Sequence, residues 1–244
     1  MKMKKYLTVL SMAVSAMFFV ACMPAEVGFT EERFVENIFT VNKHTVAPEF
    51  ADTTYMVSNM DQQNLKTGDR ARMVLRYYYD ASSGRMPEWS IYQVGEVIPL
   101  RDIVAKGEVD ADEYQTPFVG LDYYELMDRY YNPVWVWKNR LNMNLIYKGV
   151  KEGAQFAMAI RGISDGCLEL DLYAKAATLG EKKSTTLLTF DLNDAETVAT
   201  PEMKASARGI DSLKTRIYFK FLDDKGVVKE GDILGGKFAN PFKN

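Results

Sequence analysis

The clearest structural pattern in the chain is the stretch Arg70-Ala71-Arg72-Met73-Val74-Leu75-Arg76-Tyr77-Tyr78-Tyr79. Its odd-numbered positions are apolar or aromatic, whereas three of its even-numbered positions are arginine. A period of two is typical of a β-strand with one buried face and one solvated face. The sequence therefore predicts a half-buried strand that keeps its arginines in solvent and places Tyr78 opposite Tyr77 and Tyr79.

Further short strands are predicted on both sides of this stretch. They cover residues 33–41, 53–57, 88–98, 134–137, 140–147, 155–161, 167–174, 185–192 and 215–222. Turn-forming sequences rich in Gly, Asp, Ser and Lys separate many of them. Short strands at regular spacing favour an all-β fold that contains an antiparallel β-sandwich.

One short helix is predicted within residues 122–131. Asp122 suits an N-cap position, and Tyr124 and Met127 have the spacing of one helix face. Pro133 follows this segment and would prevent its continuation. We therefore interpret residues 118–133 as a linker that contains a short helix.

The N-terminal residues have the organisation of a bacterial signal peptide. Three lysines within the first five residues precede an apolar run over 6–20, which is shorter than the roughly 20 residues of a membrane span. The run ends in Phe19-Val20-Ala21-Cys22, where small residues precede a cysteine. We interpret residues 1–22 as a lipoprotein signal with acylation of Cys22; the alternative is an ordinary signal peptide. The predicted location is the cell envelope, anchored by lipid to the outer membrane on either its periplasmic or its surface side.

The charge of the chain argues against nucleic acid as a partner. The sequence has 30 basic and 33 acidic residues, and loss of the three N-terminal lysines leaves 27 basic residues and a net charge near −6. Affinity for nucleic acid depends mainly on neutralising phosphates with basic residues. An acidic chain without basic clusters lacks that property.

The order of strands in the second half resembles the NigD-like family of Bacteroidetes lipoproteins. The segments that carry this resemblance are 140–147, 156–160, 168–174, 187–192 and 215–221. It implies a small N-terminal barrel similar to an OB fold over residues 23–117 and an immunoglobulin-like sandwich over residues 134–244. It also implies an association with bacteriocin production, because the family takes its name from one, and it transfers no catalytic residues.

No set of residues in the sequence has the composition of a catalytic or metal site. A nucleophilic triad normally needs a histidine, and the single one, His44, is far in sequence from Cys167. If Cys22 is acylated, Cys167 has no disulfide partner, and its alternating surroundings indicate a half-buried strand thiol. We therefore expect no catalytic residues, no metal and no cofactor.

A cluster of aromatic residues is the one candidate binding surface. Its members are Tyr123, Tyr124, Tyr131, Trp135 and Trp137, and the two tryptophans would face the same way on a strand. Such rings either form a platform that stacks on a sugar or a partner, or fill the seam between two domains. Burial at the seam is the favoured interpretation.

These observations predict a non-enzymatic envelope lipoprotein that binds another macromolecule. Its expected partners are the membrane, through the lipid anchor, and either an envelope protein or a glycan. The alternative is a carbohydrate-binding lipoprotein that uses the rings of Trp135 and Trp137. Exposure of both rings would favour the alternative, and burial would disfavour it.

Overall fold

The computed structural model describes residues 30–80, 88–126, 129–149, 151, 153–176 and 182–242. The predicted signal peptide and Cys22 lie outside these residues. Within them the fold is mostly β-structure, which confirms the predicted class. The described residues form two large sheets and one short two-stranded ribbon.

The first sheet has five antiparallel strands in the order β3-β2-β1-β4-β5. Their bounds are β1 (Thr30–Asn42), β2 (Thr45–Pro48), β3 (Tyr55–Met56), β4 (Arg70–Asp80) and β5 (Trp89–Val97). A single 3₁₀ turn, Met60–Gln62, follows β3. A bridge between Val57 and Trp89 joins the two outer strands, so the sheet curls on itself.

The strand predicted from the alternating stretch is β4. Its residues Ala71, Met73 and Leu75 are at most 1% exposed and pack with Phe39 of β1 inside the curled sheet. The prediction for this face is confirmed. The prediction that the arginines are solvated is wrong for Arg70, which is 3% exposed because the second sheet covers that end of the strand.

The second sheet contains ten strands, eight of them in the order β6-β15-β12-β8-β16-β14-β13-β7. Their bounds are β6 (Leu100–Arg101), β7 (Ile103–Val104), β8 (Phe118–Leu121), β12 (Arg140–Lys148), β13 (Gln155–Ser164), β14 (Cys167–Lys175), β15 (Lys183–Asp191) and β16 (Ser212–Leu222). The other two are β11 (Val134–Trp137), which pairs with β12, and β17 (Val228–Ala239), which pairs with β16. Only Asp102 separates β6 from β7 at the two ends of the order, so the sheet is nearly closed.

The second sheet is mixed, which corrects the prediction of an antiparallel sandwich. Four pairs are parallel: β14 with β16, β13 with β7, β15 with β6, and β16 with β8. Parallel neighbours need a long crossover. The chain between β14 and β16 supplies one, since it contains β15 and two short helices, α1 (Ala195–Val198) and α2 (Pro201–Ser206).

The helical linker predicted at 118–133 is also wrong. The described residues of this segment form β8, β9 (Tyr124–Leu126) and β10 (Arg129–Tyr131), and the last two make the two-stranded ribbon. β8 pairs with β12 and β16, and its Phe118 is 1% exposed. These long-range contacts outweigh a weak helix pattern in a segment rich in strand-favouring Tyr.

In the part of the chain that the structure describes, no helix is both long enough and apolar enough to cross a membrane.

Candidate functional site

An apolar cluster fills the seam between the two sheets. Its buried members are Ile38 on the outer face of β1, Ile98 after β5, Tyr124 of β9 and Trp135 of β11. The ring of Phe50 packs against the indole of Trp135, with 5.9 Å between centroids. The seam is therefore closed by side chains from both halves of the chain.

The backbone of Phe50 has a conformation that this contact helps to explain. Its φ is +64°, in the left-handed region that bulky residues rarely adopt. Such a residue costs on the order of 1–3 kcal/mol, and it persists only where its surroundings hold it. Here the ring of Phe50 lies 5.9 Å from Trp135 and 5.8 Å from Trp137, centroid to centroid.

A buried polar network lies beside this apolar cluster. Arg70 and Glu49 are 3% and 2% exposed and form an ion pair through Nη2 and Oε1. The same Nη2 donates to Asn142 Oδ1 at 2.7 Å, and Nη1 donates to Thr189 Oγ1. Burial lowers the pKa of Arg70, and the charge of Glu49 opposes that shift. The network joins β4 to β12 and β15, so it fixes the first sheet against the second.

The structure brings together only part of the predicted aromatic surface. Trp135 and Tyr124 are each 8% exposed and Trp137 is half-buried, so these three rings lie at the seam. Tyr123 is 61% exposed and faces solvent. The backbone of Tyr131 belongs to β10, and its side chain lies outside the described part of the chain. The exposure that a stacking platform requires is not met by Trp135.

A cleft of about 340 Å³ opens beside the seam, and Tyr123 and Tyr124 line it. Its other side chains come from both sheets and include Arg72, Glu96 and Asn144. Arg72 donates from Nε to Glu36 Oε1 at 2.5 Å, and this hydrogen bond raises the pKa of Arg72. Arg72 and Glu96 are already paired, with Glu36 and Lys151, and we assign the cleft no ligand.

Tyr124 gives the seam a measurable pH dependence. Burial raises its pKa from 10.0 to about 12, although the positive charge of Arg72 opposes the shift. The phenol of Tyr124 therefore loses its proton at a higher pH in the folded state than in the unfolded state. As a result, the stability that is present below pH 10 is lost as the pH rises towards 12. Between pH 8 and pH 11 we expect the protein to lose about 1.4 kcal/mol of unfolding free energy relative to Tyr124→Phe.

Urea unfolding of both proteins at pH 8, 10 and 11 measures this difference. The comparison isolates Tyr124 because every other tyrosine is present in both chains. Parallel losses in the two proteins would contradict the assignment.

The outer face of the first sheet carries a surface that the sequence analysis did not select. We call Phe34, Arg76, Tyr78 and Tyr92 the outer-face patch. Its three rings are 42%, 48% and 58% exposed in that order of residues. Phe34 meets Tyr92 edge to face at 5.1 Å between centroids, and the guanidinium of Arg76 lies 5.4 Å from the Tyr78 ring and 5.7 Å from the Tyr92 ring.

Part of the outer-face patch had a signal in the sequence. The alternation of β4 placed Tyr78 and Arg76 on one face, opposite the buried positions. Phe34 lies on β1 directly opposite Arg76, between two glutamates that share its face. The contribution of Tyr92 from β5 depends on the irregular pairing between β4 and β5, which the sequence does not indicate.

The described residues hold no group of three His, Cys, Asp or Glu side chains that could bind a metal. His44 is exposed and lies 3.8 Å from the carboxylate of Asp61, measured from Nδ1. Cys167 is a buried free thiol at the start of β14. The structure does not bring a base together with a nucleophile at either position.

Comparison with known proteins places this architecture among Bacteroidetes structures. No family model and no curated protein matches the chain. A proposed lipoprotein of Bacteroides fragilis covers 83% of this chain and 97% of its own, with 13% identity and a TM-score of 0.56. A proposed toxin-related protein of Parabacteroides distasonis covers 84% of this chain and 93% of its own, with 12% identity and a TM-score of 0.51.

A NigD-like immunity protein of Bacteroides caccae covers 84% of this chain and 93% of its own, with 17% identity and a TM-score of 0.48. None of these names is that of an enzyme. At such identities the likeness concerns the fold alone. Over most of its length, the chain shares its fold with lipoprotein and toxin-related structures of Bacteroidetes.

Proposed function

We propose that this protein is a lipid-anchored, non-enzymatic envelope protein that binds another envelope protein through the outer-face patch. The observation that carries the proposal is the exposure of three aromatic rings around Arg76 on one sheet face. The family resemblance adds an association with bacteriocin production. A bacteriocin-associated envelope protein is therefore the first partner to test.

The composition of the outer-face patch fits a protein partner. Tyr and Arg are enriched in the buried centres of protein interfaces, where a few such residues supply most of the binding energy. The ion pair of Arg76 with Glu32, 3.4 Å from Nη1 to Oε1, places charge beside the rings. An apolar centre with charge beside it is the usual anatomy of such an interface.

The anchor in this proposal is an acyl chain on Cys22. Phe19-Val20-Ala21-Cys22 closes a signal-like segment, and the similar protein of Bacteroides fragilis is itself a proposed lipoprotein. Stable attachment to a membrane needs more than one acyl chain, which lipoprotein processing provides. The outer membrane is the proposed location.

Two further observations support a non-enzymatic role. The single histidine, His44, is exposed on the first sheet, whereas Cys167 is buried in the second. The similar solved structures carry immunity, lipoprotein or toxin-related names. The proposal therefore needs no cofactor and no metal.

We also propose that the two sheets are related to the OB-like barrel and the immunoglobulin-like sandwich that the family resemblance implies. The five antiparallel strands of the first sheet and the bridge from Val57 to Trp89 support an OB-like barrel. The antiparallel pairs β12–β15 and β13–β14 support an immunoglobulin-like relation for the second sheet. The four parallel pairs described above limit that relation to a part of the sheet.

The alternative function, sugar binding by the platform of Trp135 and Trp137, has less support. The Trp135 ring is 8% exposed, and its indole Nε1 faces Glu49 Oε2 at 3.4 Å. A ligand would have to open the seam to stack on it. The platform is therefore not the site that we propose.

Site-specific crosslinking in living cells tests the protein-binding proposal. A photoreactive amino acid at Tyr92 of the full-length lipoprotein should yield one dominant crosslinked protein. The same substitution at Val228, which is 52% exposed on β17, serves as the control position. The captured protein is then purified and its affinity for the lipoprotein is measured.

In that binding measurement, we expect Phe34→Ala combined with Tyr92→Ala to weaken affinity by about 100-fold, as for two central interface residues. Val227→Ala combined with Val228→Ala should leave it unchanged, since these side chains are 54% and 52% exposed at the start of β17, away from the first sheet. Equal crosslinking at both positions, or equal affinity of both double variants, would rule the outer-face patch out.

A further inference from the structure

A second concave surface, besides the cleft at the seam, lies on the second sheet, whereas the outer-face patch lies on the first. It is a pocket of about 220 Å³ on the outer face of β14 and β16, and we call it the β14 pocket. Asp171, Tyr173, Tyr218 and Lys220 project into it from these two strands, and Arg161 and Glu230 add to its lining from β13 and β17. The pocket therefore combines rings and charged groups from four neighbouring strands.

The wall of the β14 pocket is a short loop that is fixed at several points. Thr116 N donates to Ala174 O at 3.0 Å, and Thr116 Oγ1 accepts from Ala176 N at 2.9 Å. Glu113 pairs with Lys175 at 2.8 Å, between Oε2 and Nζ. These bonds hold the loop against the end of β14, so the pocket is formed without a ligand.

The floor of the β14 pocket is an ordered set of polar contacts. The Arg161 guanidinium lies 4.1 Å from the Tyr218 ring centroid, and its Nη1 is 3.2 Å from Asp171 Oδ1. The hydroxyl of Tyr218 donates to Glu169 Oε1 at 3.2 Å. Burial raises the pKa of the Asp171 carboxyl, and the charge of Arg161 opposes the shift. The floor is thus rigid and partly withdrawn from water.

Two polar groups of the β14 pocket remain available to a ligand. Among the described residues, neither the Tyr173 hydroxyl nor the Glu230 carboxylate has a hydrogen-bond partner. The charges that line the pocket balance, with Arg161 and Lys220 against Asp171 and Glu230. A ligand with many hydroxyl groups and no net charge matches this lining.

The architecture disfavours other ligand classes. β14 has strand neighbours on both sides, β13 and β16, so an extended peptide has no free edge to pair with there. Nucleic acid needs an excess of positive charge, which the balanced lining lacks. The volume is below the roughly 300–1,000 Å³ of sites for drug-sized molecules, which suits a single ring-sized group.

From this geometry we propose that the β14 pocket binds one neutral sugar unit of a glycan. The sugar ring lies against the rings of Tyr173 and Tyr218, and its hydroxyl groups meet Asp171, Tyr173 and Glu230. This site is separate from the outer-face patch and from the tryptophans at the seam. The function proposed above does not depend on it.

The test is direct binding by the purified full-length lipoprotein, held in a detergent that contains no sugar. The probes are neutral hexasaccharides of glucose, galactose, mannose, xylose and N-acetylglucosamine, with hexagalacturonic acid and inorganic phosphate as charged probes. We expect at least one neutral probe to bind. Loss of one charged hydrogen-bonding group or one stacking ring should weaken that binding by about tenfold, in Asp171→Asn and in Tyr173→Ala.

The matched control is Asp232→Asn, on the same sheet face but outside the pocket lining, which should keep full affinity. Thermal unfolding shows whether each variant is folded, and Asp171→Asn conserves the side-chain size. Three results would overturn the proposal: binding of the charged probes alone, no binding of any neutral probe, or full affinity in both pocket variants. None of them bears on the protein partner of the outer-face patch.

Discussion

Replacing Arg70 by methionine is expected to lower the free energy of unfolding by about 3–5 kcal/mol, the usual cost of removing one partner of a buried ion pair. The substitution leaves Glu49, 2% exposed, as a buried carboxylate without its cation. It also removes the donors that face Asn142 and Thr189 across the seam. The substitution therefore removes stabilising contacts from both sheets.

Urea unfolding measures the change, and a second variant shows its origin. In Arg70→Met combined with Glu49→Gln, the unpaired charge is gone, so we expect part of the lost stability to return. If the stability loss in the double variant equals the sum of the losses in Arg70→Met alone and Glu49→Gln alone, the contact between the two side chains contributes nothing.

The matched control is another ion pair, which joins β5 of the first sheet to the loop between β12 and β13. Lys151 and Glu96 are 2.8 Å apart from Nζ to Oε1, but their side chains are 46% and 55% exposed. Exposed pairs contribute about 0–1 kcal/mol, so Lys151→Met should change stability by no more than that. A similar loss in Lys151→Met and Arg70→Met would contradict the role of burial.

The alternation of β4 shows which features of a strand sequence periodicity can predict and which it cannot. It predicted the buried face of Ala71, Met73 and Leu75, because a period of two fixes which residues share a side. It did not predict that Arg70 is buried, because the covering surface comes from β12 and β15, far along the chain. The same limit applies to the outer-face patch, which needs Tyr92 from an irregularly paired strand.

The topology of the second sheet could not be predicted from the sequence for a related reason. Strand positions were predicted from composition and turns, whereas the partners of each strand depend on crossovers. β14 and β16 are parallel neighbours although β15 lies between them in sequence. The β14 pocket follows from that pairing, because it places Asp171 beside Tyr218.

A second large loss of stability is expected at Trp135, which packs in the seam and belongs to the aromatic cluster predicted from the sequence. Trp135→Ala is expected to cost about 3–5 kcal/mol of unfolding free energy, as for a buried large aromatic residue. Its indole is 8% exposed and packs against both Phe50 and Tyr124, at 5.9 Å and 5.5 Å between centroids. Phe50 would then keep its left-handed backbone without one of the two rings that hold it.

Two neighbours serve as graded controls for this variant. Trp137 is half-buried and also contacts Phe50, so Trp137→Ala should cost less than Trp135→Ala. Tyr123 is 61% exposed, so Tyr123→Ala should stay within about 0.5 kcal/mol of the parent protein. A ligand platform would give the opposite pattern, since removing an exposed stacking ring affects binding and leaves stability nearly unchanged. If Trp135→Ala leaves stability unchanged, Trp135 and Trp137 become candidate binding residues again. If stability falls most in Trp135→Ala, less in Trp137→Ala and least in Tyr123→Ala, the two tryptophans serve to hold the sheets together.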